Sequence, residues 1–373
     1  MNKQVRHVIG ISGGKDSSAL AIYLNDLYPE LKLEYYFCDT GKELTETYDL
    51  IRNLEIYLGC SVEKLKGSGD SHKNPFDHFL EIYGGFLPSA TTRWCTKKLK
   101  LDPFEKYVGD DPVISYVGIR GDEDREGYIS TKSNIQSIFP YRKNIWSQDV
   151  IKKVLANDVI EIIGKFYEDQ VQDEERLKRI KELVARPLSM SLDRDLKLDL
   201  LLNLGIRDFN YVVHRFIKEF TEYPLAKVDH FPLLDNEENI VRDDVFQILE
   251  ESGVGVPAYY KASEFNGNDG VTGTYARSRS GCFFCFFQQK IEWVWLYEKH
   301  PELYTKAMAY EGGDGYTWMD NESLTDLIKP DRIAQVKADY AAKEKRREAN
   351  NSSPYLLDRI EEAEGEGCAA CFI

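Results

Sequence analysis

The sequence predicts an α/β protein: an open, mostly parallel, twisted sheet with helices on both faces, plus a helical insertion and a helical C-terminal region. Short apolar runs near residues 8–11, 33–38, 60–65 and 113–118 alternate with segments of helical periodicity. Several of these runs end in turns that contain glycine or aspartate. This alternation is typical of strand–helix–strand units and a parallel sheet. Ligands bind such sheets beyond the carboxyl ends of the strands, so the turns there are the candidate sites.

The first of these turns carries the strongest chemical signal. Residues 12–18 read Ser-Gly-Gly-Lys-Asp-Ser-Ser, between an apolar run and an alanine-rich helix. Glycines allow a tight turn that brings backbone amides close to an anion, and the helix N-terminus adds positive potential. Lys15 supplies a charge for phosphate oxygens, whereas Asp16 suits bound Mg²⁺ or a helix cap. The spacing is neither that of a P-loop nor that of a dinucleotide fingerprint. It predicts a nucleoside triphosphate site formed by Ser12, Gly13, Gly14, Lys15, Asp16, Ser17 and Ser18.

Two further strand ends are expected to face the same crevice. Asp39, Thr40 and Gly41 follow the run 33–38, and Asp39 is predicted to bind Mg²⁺ or the nucleotide, with a turn cap as the alternative. Arg120 follows the strand 113–118 and is placed to bind a phosphate bidentately, with a salt bridge to the following carboxylates as the alternative. Cys38 is either a buried strand residue or a sulfur carrier and nucleophile in the crevice.

The chain has seven cysteines, which we expect in a reducing compartment, where paired cysteines indicate metal or redox chemistry. Cys95 stands beside basic residues that favour a thiolate, and Cys282 and Cys285 form a C-x-x-C pair. The residues leave three arrangements open. Cys95, Cys282 and Cys285 could hold an iron–sulfur cluster; Cys282, Cys285, Cys368 and Cys371 could bind zinc; or all could be separate thiols.

Composition narrows the class of protein. The chain has 373 residues, is 42% hydrophobic and 30% charged, and carries a net charge of −15. This acidity disfavours extensive nonspecific binding of DNA but is compatible with a local basic surface. The candidate nucleic-acid contacts are Lys97, Lys98, Arg277 and Arg279, with a solvated helix face as the alternative for the two lysines. Without a predicted signal peptide or membrane span, the expected location is the cytoplasm.

These motifs together resemble the phosphoadenylyl-sulfate reductase family of PP-loop ATP pyrophosphatases. The matching strings are SGGKDSSA at 12–19, CDTGKELTET at 38–47, RWCT at 93–96, GIRGDEDRE at 118–126 and FPL…RDDV at 231–245, with the C-x-x-C at 282–285. The chain departs from sulfonucleotide reductases because it lacks their E-C-G-[IL]-H motif. In layout it is similar to the DndC and SspD proteins of bacterial DNA phosphorothioation.

The resemblance implies an adenine nucleotide α-hydrolase-like fold and ATP pyrophosphatase activity that supports sulfur transfer to DNA in a bacterial defence system. It implies ATP and Mg²⁺ as cofactors and favours a [4Fe–4S] cluster over zinc. The implied partners are a cysteine desulfurase as sulfur donor, other phosphorothioation subunits, and DNA; a homodimer is a further candidate. The candidate catalytic residues, taken from their chemistry and position, are Lys15, Asp16, Asp39, Arg120 and Cys38, and the predicted ATP site adds Thr40 and Gly41. The alternatives are a sulfonucleotide reductase or sulfate-activating enzyme, a tRNA thiolation enzyme, and a non-catalytic ATP-binding subunit.

The expected domain organisation has four parts. Residues 1–157 form the nucleotide-binding α/β domain, and 158–228 form a charged helical insertion that is a lid, a partner surface or a bundle extension. Residues 229–328 form a cysteine-containing part of the family core, and 329–373 form a charged helical tail.

Overall fold

A computed structural model of the protein describes residues 3–125, 130, 132–267, 272–277, 279–312 and 315–351. Its centre is a five-stranded sheet in which every neighbouring pair of strands is parallel, in the order β3-β2-β1-β4-β5. The predicted fold class is therefore confirmed. The strands of this sheet are β1 (Arg6–Gly10), β2 (Glu34–Cys38), β3 (Glu63–Leu65), β4 (Val113–Tyr116) and β5 (Ile135–Ile138).

Helices cover both faces of the sheet, as the alternation of side chains along each strand requires. Ile9 and Phe37 lie on one face, in the main apolar core. Val8 and Tyr36 lie on the other, where Phe104 packs against them. The helices of the first half are α1 (Lys15–Leu27), α2 (Thr45–Leu58), α3 (Pro75–Ile82), α4 (Trp94–Thr96), α5 (Asp102–Val108) and α6 (Gln148–Val154), with a π-helical turn at Lys97–Leu101.

Four amphipathic helices follow the sheet and share its core. Their apolar residues belong to the same buried cluster as those of β1 and β4, and Trp146 Nε1 donates to Asn210 Oδ1 over 2.9 Å across the junction. Of the three roles considered for the predicted insertion, this packing favours a bundle extension; the boundaries 158–228 stay a prediction. These helices are α7 (Ile160–Gln170), α8 (Glu174–Val184), α9 (Arg194–Leu204) and α10 (Ile206–Phe220).

A second, aromatic-rich cluster packs beyond the carboxyl ends of the strands. Phe76, Trp94, Phe284 and Trp318 contact one another at its centre. One of its contacts with the sheet domain is made by Phe283, whose amide donates to Lys42 O over 2.9 Å. No described helix is both long and apolar enough to cross a bilayer. The remaining elements are α11 (Arg242–Glu251), β6 (Ser263–Asn266), β7 (Thr272–Tyr275), α12 (Lys290–Lys299), α13 (Pro301–Ala309), α14 (Leu324–Leu327) and α15 (Pro330–Asn351).

His7 in β1 makes the stability of the sheet depend on pH. Its Nδ1 lies 2.7 Å from Tyr116 Oη, and burial lowers the pKa of His7 from 6.5 to about 4 against the opposing effect of Glu34. Below pH 6.5 the unfolded chain binds a proton that the folded chain excludes. We expect the free energy of unfolding to fall by about 3 kcal/mol between pH 6.5 and 4 through this residue. Urea unfolding of wild type and His7→Gln across this range checks it, since the variant should lose that part of the slope. Equal slopes would contradict the assignment.

Candidate active site

Residues Ser12 to Gly14 form the tight turn between β1 and α1. Gly13 has a φ of +70°, and a Cβ atom there would lie 2.2 Å from Thr47 Cγ2. The Ser12 amide donates to Ser17 Oγ over 3.0 Å, which closes the turn. Gly14 is the N-cap of α1 and provides no side-chain cap. The turn therefore presents the first amides of α1 without a cap from its own residue, as an anion site requires.

Lys15, Asp16 and Arg120 form a buried charge cluster at the first turn of α1. Asp16 lies between the two cations, with Oδ2 at 2.7 Å from Lys15 Nζ and Oδ1 at 2.6 Å from Arg120 Nη1. Burial lowers the pKa of Lys15, although Asp16 opposes it. Burial also acts to raise the pKa of Asp16, but Lys15 and Arg120 outweigh it and hold that pKa below its ordinary value. One ionised carboxylate thus fixes two cations beneath the glycine turn.

Arg120 has further acidic partners. Its Nε lies 2.8 Å from Asp122 Oδ1, and its Nη1 lies 3.3 Å from Glu123 Oε1. The salt bridges from Arg120 to the carboxylates that follow it, predicted as the alternative to phosphate binding, are therefore present. Arg120 also forms a salt bridge with Asp16. Although burial opposes it, this acidic surrounding raises the pKa of Arg120, so the guanidinium stays charged.

Ser18 differs from the other predicted residues of the turn. Its side chain is fully buried, and its amide donates to Gly14 O over 3.2 Å. Its hydroxyl is therefore shielded from a ligand in this conformation, which corrects the expectation of a direct ATP contact. Ser18 Oγ is one of the buried polar atoms without a hydrogen-bond partner among the described residues.

Asp39, Thr40 and Gly41 form a second turn, directly after β2. Asp39 Oδ1 accepts from the Gly41 amide over 2.8 Å and from Tyr48 Oη over 2.9 Å, so the turn-capping alternative is present. Gly41 has a φ of +71°, and a Cβ there would lie 2.0 Å from Asn74 Nδ2. A role of Asp39 toward Mg²⁺ stays a prediction.

Cys38 lies inside the sheet domain. It packs with Val8, Tyr36 and Phe104, and its thiol donates to Lys100 O over 3.5 Å. Burial raises the pKa of Cys38 to about 12. The catalytic assignment of Cys38 is thus corrected to that of a core residue, because a deeply buried thiol with a raised pKa is a poor nucleophile.

A segment from the aromatic-rich part covers the glycine turn. Tyr259 Oη donates to Gly13 O over 3.2 Å, the Lys15 amide donates to Tyr260 Oη over 3.3 Å, and Ser280 Oγ donates to Ser12 O over 3.4 Å. The Lys15 ammonium also lies over the Tyr260 ring, 5.3 Å from its centre. No local sequence pattern predicts a role at the turn for these three residues.

The C-x-x-C segment packs directly on the turn after β2. Cys282 is half-buried and its Sγ lies 3.2 Å from Thr40 Oγ1. Thr40 Oγ1 in turn donates to Glu43 Oε1 over 2.6 Å. Cys282 and Glu43 also form an isolated antiparallel backbone bridge. A thiol, a hydroxyl and a carboxyl group are therefore linked by hydrogen bonds beside the residues that are predicted to bind the nucleotide.

The predicted iron–sulfur or zinc centre stays a prediction. Cys95, in α4, and Cys282 both pack on the aromatic cluster. Nevertheless, no group of three or more His, Cys, Asp or Glu side chains within the described ranges is arranged to hold a metal ion. Cys95 and Cys285 are not joined to each other or to Cys282 by a disulfide. Cys368 and Cys371, the remaining ligands of the zinc alternative, lie outside the described residues.

The predicted nucleic-acid contacts separate into two groups. Lys97 is exposed and Lys98 and Arg279 are half-buried, so all three reach the surface; Lys98 is paired with Asp102 over 2.7 Å. Arg277 is only 2% exposed, and its Nη2 donates to Cys282 O and Gln288 Oε1. The assignment of Arg277 to nucleic acid is therefore wrong in this conformation: it holds the C-x-x-C segment in place.

The structure combines a parallel α/β sheet with a glycine turn and a buried lysine–aspartate–arginine cluster at the first helix. Residues 6–160 match the phosphoadenosine phosphosulfate reductase domain family. This match covers the α/β part of the chain, which is therefore similar to the phosphoadenosine phosphosulfate reductase domain.

Three curated relatives are similar to parts of the chain. Two are uncharacterised proteins of Methanocaldococcus jannaschii, 29% identical over 169 residues (41% of this chain, 33% of the relative) and 31% identical over 198 residues (49% and 46%). The third is the tRNA-specific 2-thiouridylase MnmA of Haemophilus ducreyi, 26% identical over 169 residues (37% and 44%). The chain thus spans less than half the length of each relative. No solved structure matches the chain significantly.

Proposed function

We propose that this protein is an ATP pyrophosphatase that activates a phosphate group of DNA for the replacement of an oxygen by sulfur. The observation that carries the proposal is the buried cluster of Lys15, Asp16 and Arg120 beneath the glycine turn. Fixed cations beside the N-terminus of α1, where the N-cap Gly14 has no capping side chain, suit the negative charge of a triphosphate. A carboxylate between them keeps both in position while no nucleotide is bound.

The proposed reaction has three steps. An oxygen of the acceptor attacks the α-phosphorus of ATP, forming a new P–O bond, while the bond to the bridging oxygen breaks and pyrophosphate leaves. Lys15 and Arg120 neutralise the developing charge, and Asp16 orients them. Mg²⁺ enters with the nucleotide as part of the substrate, and Asp39 is its candidate ligand. The outer sulfur of a donor persulfide then attacks the adenylylated phosphorus of the acceptor, and AMP leaves. A second thiol cleaves the resulting S–S bond, which releases the phosphorothioate and leaves a disulfide between the two thiols.

Two further observations support DNA and sulfur as the remaining reactants. The motifs resemble those of the phosphorothioation proteins, and the chain is also related to a protein named as a thiouridylase. Lys97 and Arg279 reach the surface of the acidic protein and would offer local contacts to a polyanion. A cysteine desulfurase is the proposed sulfur donor, other phosphorothioation subunits are the proposed partners, and a homodimer is the proposed assembly.

Transfer of sulfur to tRNA is the second candidate function. It is favoured by the thiouridylase relative, which matches 37% of this chain. The chemistry of ATP would be the same, because adenylylation of a base oxygen also converts it into a leaving group. Only the acceptor differs, so the identity of the labelled nucleic acid separates the two candidates.

The products formed from ATP·Mg²⁺ test the proposed activity. With a sulfur donor and an acceptor present, we expect equal amounts of AMP and pyrophosphate, measured by ³¹P NMR. Radioactive sulfur should enter the DNA backbone; entry into tRNA would favour the second candidate, and entry into a small sulfonucleotide product would favour a reductase. Formation of ADP and phosphate, or binding of ATP with no turnover, would contradict the proposal.

A further inference from the structure

The charge cluster at the first turn of α1 is closed to solvent in this conformation. Lys15, Asp16 and Arg120 are only 5%, 5% and 8% exposed. Phosphate oxygens must reach these cations and the neighbouring amides directly in order to bind them. The residues that cover the turn must therefore move before a triphosphate can bind.

Tyr260 is the covering residue that contacts a hydrogen-bond donor of the turn. The Lys15 amide donates to Tyr260 Oη over 3.3 Å. Lys15 is the first residue of α1, so this amide is one of the donors that an anion at the helix N-terminus would use. The Gly14 amide is engaged in the same way, since it donates to Ser12 Oγ over 3.3 Å. Hydroxyl oxygens thus occupy two donors that phosphate oxygens would need.

We propose that Tyr260 competes with the phosphates of ATP for the N-terminus of α1, so that ATP binds only after the Tyr260 hydroxyl has left the Lys15 amide. The inference rests on the proposed function, because it takes the glycine turn as the ATP site. Tyr260 is a positioning residue: it holds the turn in shape between rounds of catalysis and makes no contact with the reacting atoms.

Packing and a neighbouring contact hold Tyr260 at the turn. Tyr260 is buried, and the Lys15 ammonium lies over its ring, 5.3 Å from the ring centre. Beside it, Ser280 Oγ donates to Ser12 O over 3.4 Å and lies only 2.6 Å from the position that a Cβ atom on Gly14 would take. The direction of each hydrogen bond follows from its atoms, because an amide donates and a carbonyl oxygen accepts. The free protein therefore keeps the turn closed through contacts with its amides and its carbonyls.

The hydroxyl of Tyr260 should consequently weaken the binding of ATP. In the free protein it satisfies the buried Lys15 amide, whereas in the ATP complex a phosphate oxygen takes that place. Tyr260→Phe removes the acceptor from the free state alone and keeps the ring that packs on Lys15. Because the free state loses one neutral hydrogen bond, we expect ATP to bind about 2- to 10-fold more tightly. A tyrosine that donated to the bound nucleotide would give the opposite sign.

Calorimetry with the full chain tests this sign. The probes are the Mg²⁺ complex of α,β-methylene-ATP, which is not cleaved between the α- and β-phosphates, and inorganic tripolyphosphate, which has no base or ribose. Both should bind Tyr260→Phe about 2- to 10-fold more tightly than wild type. With ATP itself, KM should fall while kcat stays unchanged, because the hydroxyl has left the turn before the chemical step. Ser280→Ala removes another contact of the closed turn and should also tighten binding.

Tyr304→Phe is the matched control. Tyr304 belongs to the same aromatic-rich cluster and is 1% exposed, and its hydroxyl donates to Leu324 O over 2.8 Å. Its ring contacts Trp293 and Tyr297 of α12. The variant thus loses one buried hydroxyl that binds the backbone, as Tyr260→Phe does, but at a different place. Both probes should bind it as they bind wild type, and urea unfolding checks that every variant is folded.

The inference is wrong if Tyr260→Phe binds the probes as wild type does, or more weakly, or if Tyr304→Phe tightens binding equally. It is also wrong if neither probe binds to any of these proteins. The products of ATP judge the proposed function separately. If AMP and pyrophosphate form but Tyr260→Phe leaves binding unchanged, only the inference fails. If they do not form while Tyr260→Phe still tightens binding of both probes, the proposed function fails and the competition at the turn stands.

Discussion

Asp16→Asn is expected to abolish pyrophosphate release and to lower the free energy of unfolding by about 3–5 kcal/mol, the usual cost of removing one partner from a buried ion pair. Asp16 is the carboxylate shared by Lys15 at 2.7 Å and Arg120 at 2.6 Å. An amide in its place leaves both cations without their shared counter-charge in a buried position. Urea unfolding and a pyrophosphate assay measure the two effects.

Asp122→Asn is the matched control for Asp16→Asn. Asp122 also binds Arg120, at 2.8 Å, but its side chain is 37% exposed. Water screens this pair, so we expect a loss of less than about 1 kcal/mol and retained turnover. If Asp16→Asn released pyrophosphate at the wild-type rate, or if both variants behaved alike, the assigned role of Asp16 would be refuted.

The loss of stability in Asp16→Asn should also depend on pH in the acid range. The pKa of Asp16 is held below its ordinary value of 3.8 in the folded chain. The stabilising effect of the carboxylate is therefore complete above pH 3.8 and declines as the pH falls through the lower, folded pKa. The difference in unfolding free energy between wild type and Asp16→Asn should stay constant from pH 5 to 8 and shrink in stronger acid.

The parts of the molecule that the sequence predicts are those determined by neighbouring residues. Strands β1, β2 and β4 follow from short apolar runs, because side chains buried on both faces leave no polar alternation. The glycine turn follows from residues that are adjacent in the chain, since one φ of +70° requires glycine at position 13. Such local signals are sufficient to locate the glycine turn and to predict the fold class.

The parts that the sequence does not predict depend on residues that are distant in the chain. Asp16 and Arg120 are 104 positions apart, and Tyr260 reaches Lys15 across 245 positions. A single sequence contains no signal for such pairs, because tyrosine and serine in loops are usually solvated. The prediction for Arg277 is wrong for the same reason: its charge predicts exposure, whereas the aromatic rings and the Cys282 carbonyl bury it.

Gly13→Ala is expected to have the second large effect: loss of ATP binding and at least 10²-fold slower pyrophosphate release, the scale of a displacement of about 1 Å in a catalytic geometry. The added Cβ would lie 2.2 Å from Thr47 Cγ2, well inside the contact distance of about 3.5–4.0 Å for two carbons. Thr47 is fully buried in α2 and cannot move aside. The turn must shift instead, which displaces the amides at the start of α1.

Two further variants separate this overlap from backbone strain. Gly59 has a φ of +65°, similar to the +70° of Gly13, but no atom lies within 4 Å of the position that an added Cβ would take. Gly59→Ala should therefore cost only about 1–2 kcal/mol of stability and leave ATP binding unchanged.

Thr47→Ser removes the clashing Cγ2 and keeps the hydroxyl that lies 3.5 Å from Tyr259 Oη. Adding Thr47→Ser to Gly13→Ala should restore part of the ATP binding, measured by calorimetry. If Gly13→Ala binds ATP as wild type does, the glycine turn is not the nucleotide site, and the proposed function fails with it.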